Sequence, residues 1–174
     1  MTGPVAEAGA AGLRVLVQEA RLRPGGEPLR AEALGEAAGP TLPGVELTRA
    51  RTFADARRVL VVTYNSQEPP GTLGYSVVVR PGQAVGDHYH HRREERIVVL
   101  YGRAEFRLLD CRPGSPALDR LNRFTLEEPG SCVRIPAGVA HTIVAEGGPA
   151  VLQVLASCDY DPEDDVPVPL SRLE

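Results

Sequence analysis

The chain of 174 residues is long enough for one domain with its own core, and its composition, 43% hydrophobic and 24% charged, is that of a globular protein. A net charge of −4 excludes the basic surface that nucleic-acid binding needs, and no apolar run approaches the roughly 20 residues of a membrane-spanning helix. Three widely spaced cysteines and the lack of a secretory leader pattern predict a cytoplasmic protein.

Residues 1–44 are rich in Ala, Gly and Pro and predict an N-terminal arm. Alternating apolar residues predict a strand within residues 13–22. Residues 28–38 predict a short helix, because a proline opens the segment and a Gly-Pro pair follows it. No motif in this arm indicates a chemical activity.

From Val45 onwards, short apolar runs recur between turn residues. The predicted strands include Val45–Arg51, Arg58–Tyr64, Tyr75–Arg80, Arg96–Tyr101, Arg103–Asp110, Cys132–Ile135, Thr142–Ala145 and Val151–Ser157. Short strands at this spacing predict a single all-β domain over residues 45–165, either a sandwich or a barrel-like jelly roll. Residues 166–174 would then form a C-terminal tail.

One predicted strand has a polar face, on which Arg103, Glu105 and Arg107 alternate with apolar residues. In a small barrel such a face either lines the cavity, where the arginines would bind an anionic substrate, or lies against solvent. The sequence leaves both interpretations open.

The four histidines form the strongest chemical signal. His88 and His90 are two residues apart on a predicted strand, so both imidazoles lie on one face. Glu95 follows a short polar turn, and His141 follows a Pro-x-Gly turn elsewhere in the chain. Three imidazoles and one carboxylate suit a divalent metal such as Fe, Mn, Ni, Co or Zn, and would leave about two octahedral positions open for water or substrate. Without a metal, the histidines could instead act as acids and bases.

No phosphate-binding loop, nucleophile elbow or dinucleotide fingerprint occurs in the sequence, so we expect a small-molecule substrate and no organic cofactor.

Residues 82–102 and 130–145 resemble the two signature motifs of the cupin superfamily, with Ala145 where the second motif usually ends in Asn. The resemblance implies a jelly-roll barrel (a double-stranded β-helix) and, commonly, a homodimer. The implied metal ligands are His88, His90, Glu95 and His141.

A narrower resemblance is to the dTDP-4-dehydrorhamnose 3,5-epimerases. It rests on Phe53–Arg57, Gly86–Tyr89, Asp110–Pro116, Ile135–His141 and Tyr160–Glu163. It implies proton abstraction next to the ketone of a 4-keto sugar nucleotide. His88 would be the catalytic base, His141 would line the same pocket as a second catalytic residue, and Arg57 would help to bind the nucleotide.

Some positions differ from these epimerases. His90 stands where they have Gln, and Gln153 falls near their catalytic Tyr. The His-x-His pair and the segment Ala156–Tyr160 are also similar to sugar 3,4-ketoisomerases, which work without a metal. Three functions therefore stay open: an isomerase or epimerase, a metal-dependent oxygenase or lyase, and a sensor or storage barrel without catalysis.

Overall fold

The computed structural model describes residues 42–64 and 71–173, in which β-strand predominates. The strands of these residues are β1 (Glu46–Arg49), β2 (Arg51–Asp55), β3 (Arg58–Val62), β4 (Leu73–Val79), β5 (Ala84–His90), β6 (Glu95–Asp110), β7 (Leu121–Leu126), β8 (Ser131–Ile135), β9 (Val139–Ala156) and β10 (Asp165–Pro167). A short 3-10 turn, Leu170–Arg172, follows β10. The strand and the helix predicted at 13–22 and 28–38 lie outside the described residues.

Two long strands organise the main sheet. β6 and β9 pair along almost their whole length, from Glu95 opposite Ala156 to Asp110 opposite Val139. β8 and β7 pair with the first and second halves of β6, and β5 and β4 pair with the first and second halves of β9. The long strands therefore carry the sheet around the core, and the predicted jelly roll is confirmed.

The sequence prediction divided β6 and β9 into two strands each, and this division is wrong. In β6 the chain bends at Gly102, where φ is +80° and the strand register shifts, but pairing with β9 continues beyond it. A Cβ at Gly102 would lie 2.2 Å from the carbonyl oxygen of Pro149, so only glycine allows this close approach. Residues that usually end a strand here mark a bend within one.

The core lies between the inner faces of the folded sheet. Ile97, Phe106, Leu108 and Leu152 are fully buried there. The rings of Phe106 and Phe124 stack with centroids 5.5 Å apart. Burial of each large apolar side chain stabilises the fold by about 2 kcal/mol, so this core gives the neighbouring polar site a firm support.

The predicted C-terminal tail packs against the back of the sheet. Val168 and Leu173 are buried against Leu109 and Ala140, with Tyr89 of β5 beside them. β10 pairs antiparallel with β5 and crosses the predicted boundary at residues 165 and 166. The domain limits 1–44, 45–165 and 166–174 stay predictions.

The two-stranded sheet of β2 and β3 covers another part of the outer face. Val61 packs there against Val98 and Cys132, and Cys132 is fully buried. In the described residues no helix is long and apolar enough to cross a membrane.

Candidate active site

Three histidines meet on the inner face of the sheet. β5 carries His88 and His90, and His88 lies directly opposite His141 of β9. The ring centroids are 4.6 Å apart for His88 and His90, 4.8 Å for His88 and His141, and 5.7 Å for His90 and His141. His90 and His141 are buried, whereas His88 is partly exposed at the edge of the cluster. His88 is therefore the ring most accessible to a small molecule.

Glu95, the first residue of β6, joins this cluster. Its Oε1 accepts a hydrogen bond from the Tyr75 hydroxyl at 3.0 Å and lies 3.5 Å from Nε2 of His90, while Oε2 lies 3.4 Å from Nε2 of His141. Burial alone would raise the pKa of Glu95, but the hydrogen bond with His90 and the neighbouring imidazoles lower it to about 2. Glu95 is thus an ionised carboxylate at the centre of the site.

Asp165 of β10 holds His90 from the other side. Its Oδ1 lies 2.8 Å from Nδ1 of His90 and accepts a hydrogen bond of 2.7 Å from the guanidinium of Arg93. The same Arg93 nitrogen is 3.1 Å from both ring nitrogens of His90. It must lie over the ring face, because in the ring plane it would overlap the carbon between the two nitrogens. His90 is therefore fixed between two carboxylates and a buried cation.

Burial sets the protonation of the other two histidines. It lowers the pKa of His88 below its usual range, and it lowers the pKa of His141 from 6.5 to about 4. Nδ1 of His88 lies 3.0 Å from the carbonyl oxygen of Gly86, which can only accept, so the ring donates from Nδ1. The lone pair of neutral His88 is then on Nε2, where a base or a metal ligand needs it.

The structure does not bring the three predicted substrate-binding arginines to this cluster. Arg57 is at the tip of the β2–β3 hairpin, with its side chain 83% exposed and paired with Asp55. Arg103 and Arg107 lie on the outer face of β6, because the alternating residues of that strand are in the core. Arg103 contacts Glu146 and Glu127, and Arg107 donates a hydrogen bond to Glu105.

Comparison with known protein families identifies the fold's relatives. The sequence model of one family, the polysaccharide biosynthesis C-terminal domain, matches residues 53–165. This span contains the three histidines, Glu95 and Asp165. The chain belongs to this family.

One curated relative of this polysaccharide biosynthesis C-terminal domain is a dTDP-4-dehydrorhamnose 3,5-epimerase of Streptomyces griseus, 27% identical over 128 residues. The match covers 67% of this chain, and the chain spans 64% of the length of that relative.

Two solved structures have the same fold. A 4-keto-6-deoxy sugar epimerase from the novobiocin gene cluster of Streptomyces spheroides superposes with a TM-score of 0.70 at 20% identity, covering 89% of this chain and 77% of its own. A dTDP sugar isomerase from Desulfovibrio desulfuricans superposes with a TM-score of 0.71 at 21% identity, covering 76% and 89%. They support the resemblance from sequence to the jelly roll of the epimerases.

The residue types of this donor set suit a divalent metal. One nitrogen from each of His88, His90 and His141 lies within 4.8 Å of the others, a wider spacing than two nitrogens bound to one ion can have. Metal–nitrogen bonds are about 2.1 Å long, so the rings would have to move towards one another to hold an ion. Glu95, in contact with two of these rings, could complete the set.

Three site residues were missed by the sequence analysis. Arg93 stood in a segment interpreted as a polar turn, yet it is 4% exposed. Asp165 lies at the end of an acidic run next to the predicted C-terminal tail, and only its pairing with β5 reveals its contact with His90. Tyr75 was assigned only to a strand. The alternation of Val166 and Val168 with prolines, directly after Asp165, is the one signal that could have suggested a further strand.

Proposed function

We propose that the chain is an isomerase or epimerase that removes a proton next to the ketone of a 4-keto sugar nucleotide. The polar cluster lies on the inner face of a fold shared with sugar-nucleotide epimerases. The named activity of the curated relative, 3,5-epimerisation of a dTDP sugar, supports the same substrate class. The nucleotide sugar is the proposed small-molecule partner.

The observation that carries this proposal is the state of His88. The ring is neutral and partly exposed, and its Nδ1–H donates a hydrogen bond to the carbonyl oxygen of Gly86. Nε2 therefore has the lone pair that accepts the proton from the carbon beside the ketone, while the electrons of the broken C–H bond move onto the ketone oxygen. Delivery of a proton from water to the opposite face of that carbon, with His88 releasing its own proton to water, completes an epimerisation without any oxidant.

His141 is the proposed proton partner. Its ring lies edge-on to that of His88, and its Nε2 is held by Glu95. Because burial lowers the pKa of His141 to about 4, it is neutral at pH 7 and has a single N–H. To stabilise a negatively charged enolate, His141 would have to donate this N–H to the substrate oxygen instead of to Glu95.

The test is deuterium uptake from heavy water into a 4-keto-6-deoxy sugar nucleotide, followed by NMR. We expect the wild type to label the carbon next to the ketone and His88→Asn to label it about 10³-fold more slowly. His91→Asn is the matched control, because His91 is an exposed neighbour on the same segment. Absence of labelling by the wild type, both metal-free and metal-loaded, or normal labelling by His88→Asn would contradict the proposal.

A second candidate is a metal-dependent oxygenase or lyase, favoured by the three convergent imidazoles and Glu95. A metal held there would act as a Lewis acid on a substrate oxygen. We expect Glu95→Ala to lose both bound metal and activity if this function is correct, with Glu127→Ala, an exposed carboxylate on the outer face, as the control. Metal analysis that finds no ion after reconstitution, or a Glu95→Ala variant that keeps metal and activity, would exclude it.

We propose the homodimer as well. Val78 is 64% exposed on the outer face of β4 and lies beside Val151, which in turn pairs with Tyr101. This row of apolar side chains is typical of a surface covered by a second copy. Light scattering should show a dimer that Val78→Glu converts to a monomer, and a monomeric wild type would contradict this.

The cytoplasmic location also stays a proposal. Cys111, Cys132 and Cys158 are free thiols, as a reducing compartment favours.

A further inference from the structure

β5 contains one extra residue immediately before the histidine pair. Gly86 is paired with Thr142 and His88 with His141, so Asp87 has no opposite residue on β9. Both Gly86 and Asp87 have positive φ, 106° and 62°. An extra residue in one strand of an antiparallel pair is a β-bulge, and bulges of this kind redirect the side chains that follow.

The bulge decides which face carries the histidines. Val85 packs against the core beside Ile143, and His88, three residues later, also points inward. In a regular strand, residues three apart lie on opposite faces. Without the extra residue, inward placement of Val85 would turn both His88 and His90 out of the barrel.

Contacts at the back of the sheet hold the bulge. Oδ1 of Asp87 accepts a hydrogen bond of 2.6 Å from the hydroxyl of Thr142, which is fully buried, and the carbonyl of Asp87 accepts one of 2.8 Å from the amide of Val168. A Cβ on Gly86 would lie 2.5 Å from the carbonyl oxygen of His141, so glycine is required at that position. Asp87 itself is among the few residue types that tolerate a left-handed backbone.

We propose that Asp87 is a positioning residue whose hydrogen bond with Thr142 holds the bulge in the register that turns His88 and His90 inward. Asp87 acts through the backbone and does not touch the substrate. The expected effect of Asp87 on catalysis rests on the proposed function, whereas its expected effect on the positions of His88 and His90 does not.

The test compares three substitutions at this contact. Thr142→Val removes the hydroxyl at nearly constant volume, and Asp87→Gly removes the carboxylate while keeping a residue that tolerates the left-handed backbone. We expect each to lower kcat for deuterium exchange by roughly tenfold or more with an unchanged KM, because a small displacement of a catalytic base has effects of this size. Asp87→Asn, which keeps an acceptor oxygen and the tolerance for positive φ, should recover most of the loss. Thr125→Val on β7 is the matched control.

A measurement that does not depend on turnover tests the positioning role of Asp87 separately from the proposed function. In wild-type protein, NMR should show proximity between the His88 and His141 rings, whose centroids are 4.8 Å apart. Thr142→Val and Asp87→Gly should weaken or remove this signal, and Asp87→Asn should retain it. If these changes occur but no keto sugar is turned over by the wild type, the proposed function fails and the positioning role stands.

Two outcomes would overturn the inference. One is that Thr142→Val and Asp87→Gly keep both the ring proximity and the kcat of the wild type. The other is that the rate falls while the ring proximity is unchanged, since the effect would then not pass through His88. Should Thr142→Val fail to fold, Asp87→Gly decides the question alone.

Discussion

Lowering the pH should destabilise the protein through His141 at pH values well above those at which Glu95 and Asp110 titrate. Burial lowers the pKa of His141 from 6.5 to about 4, so between these values the unfolded chain binds a proton at this residue that the folded chain does not. Stability therefore rises with pH across this window and falls as pH is lowered through it. Between pH 7 and pH 4.5, the loss of unfolding free energy attributable to His141 is about 2 kcal/mol.

The buried carboxylates affect the unfolding free energy at lower pH than His141 does. The pKa values of Glu95 and Asp110 are each lowered to about 2, the first by His90 and the second by Arg112 and Ser115, both against the opposing effect of burial. Their contribution is present above their unfolded pKa values of 4.5 and 3.8 and is lost only as pH falls towards 2. The range from pH 6.5 to 4.5 thus reports mainly on the histidines.

The assay is urea unfolding of metal-free protein at intervals from pH 7 to pH 4.5. His88, whose pKa is also lowered by burial, contributes with the same sign, so the His141 share must be taken from a variant. We expect His141→Asn to reduce the pH-dependent loss by about 2 kcal/mol, and His91→Asn, on an exposed neighbour, to leave it unchanged. An identical pH dependence in wild type and His141→Asn would refute the argument from burial.

Three further predictions concern the core, the second carboxylate and the outer face. Phe106→Ala should lower the unfolding free energy by about 4 kcal/mol in urea, because it removes a fully buried ring stacked on Phe124, and a loss under 1 kcal/mol would show that the core is not packed as described. Asp165→Asn should lower kcat for deuterium exchange roughly tenfold, since His90, whose ring lies against that of His88, loses a charged partner 2.8 Å away, and an unchanged rate would show that this pair does not help to position His88. Arg103→Gln and Arg107→Gln should change KM less than about twofold, because both side chains lie on the outer face among glutamates. A tenfold rise in KM would instead support the substrate-binding role inferred from the sequence.

Local spacing was sufficient to predict the centre of the site. His88 and His90 share a face because strand side chains alternate, and the cupin motif spacing placed Glu95 and His141 beside them. Tyr89, between the two histidines, points to the other face, as alternation along a strand requires, and packs against the C-terminal segment.

Alternation does not reveal which side of a strand is inside. Arg103 and Arg107 were correctly predicted to share a face, but only the burial of Phe106 and Leu108 shows that this face is the outer one. Similarly, the predicted strand Thr142–Ala145 ended before the turn residues at Gly147, whereas β9 continues to Ala156 and pairs with β6 on both sides of that turn. Contacts between residues distant in sequence, such as Asp165 and His90, depend on which strands pair and in which register, and a single sequence does not specify either.

The pairing of β10 with β5 affects the order in which the site forms during synthesis. Asp165 meets a histidine 75 positions earlier in the chain, and Val168 covers Tyr89 on the same strand. Contacts this distant in sequence close late, after the local hairpins have formed. During translation, one edge of β5 therefore stays unpaired, and His90 lacks its contact with Asp165, until residues 165–168 have left the ribosome. A ribosome-bound chain that ends before these residues has no completed site.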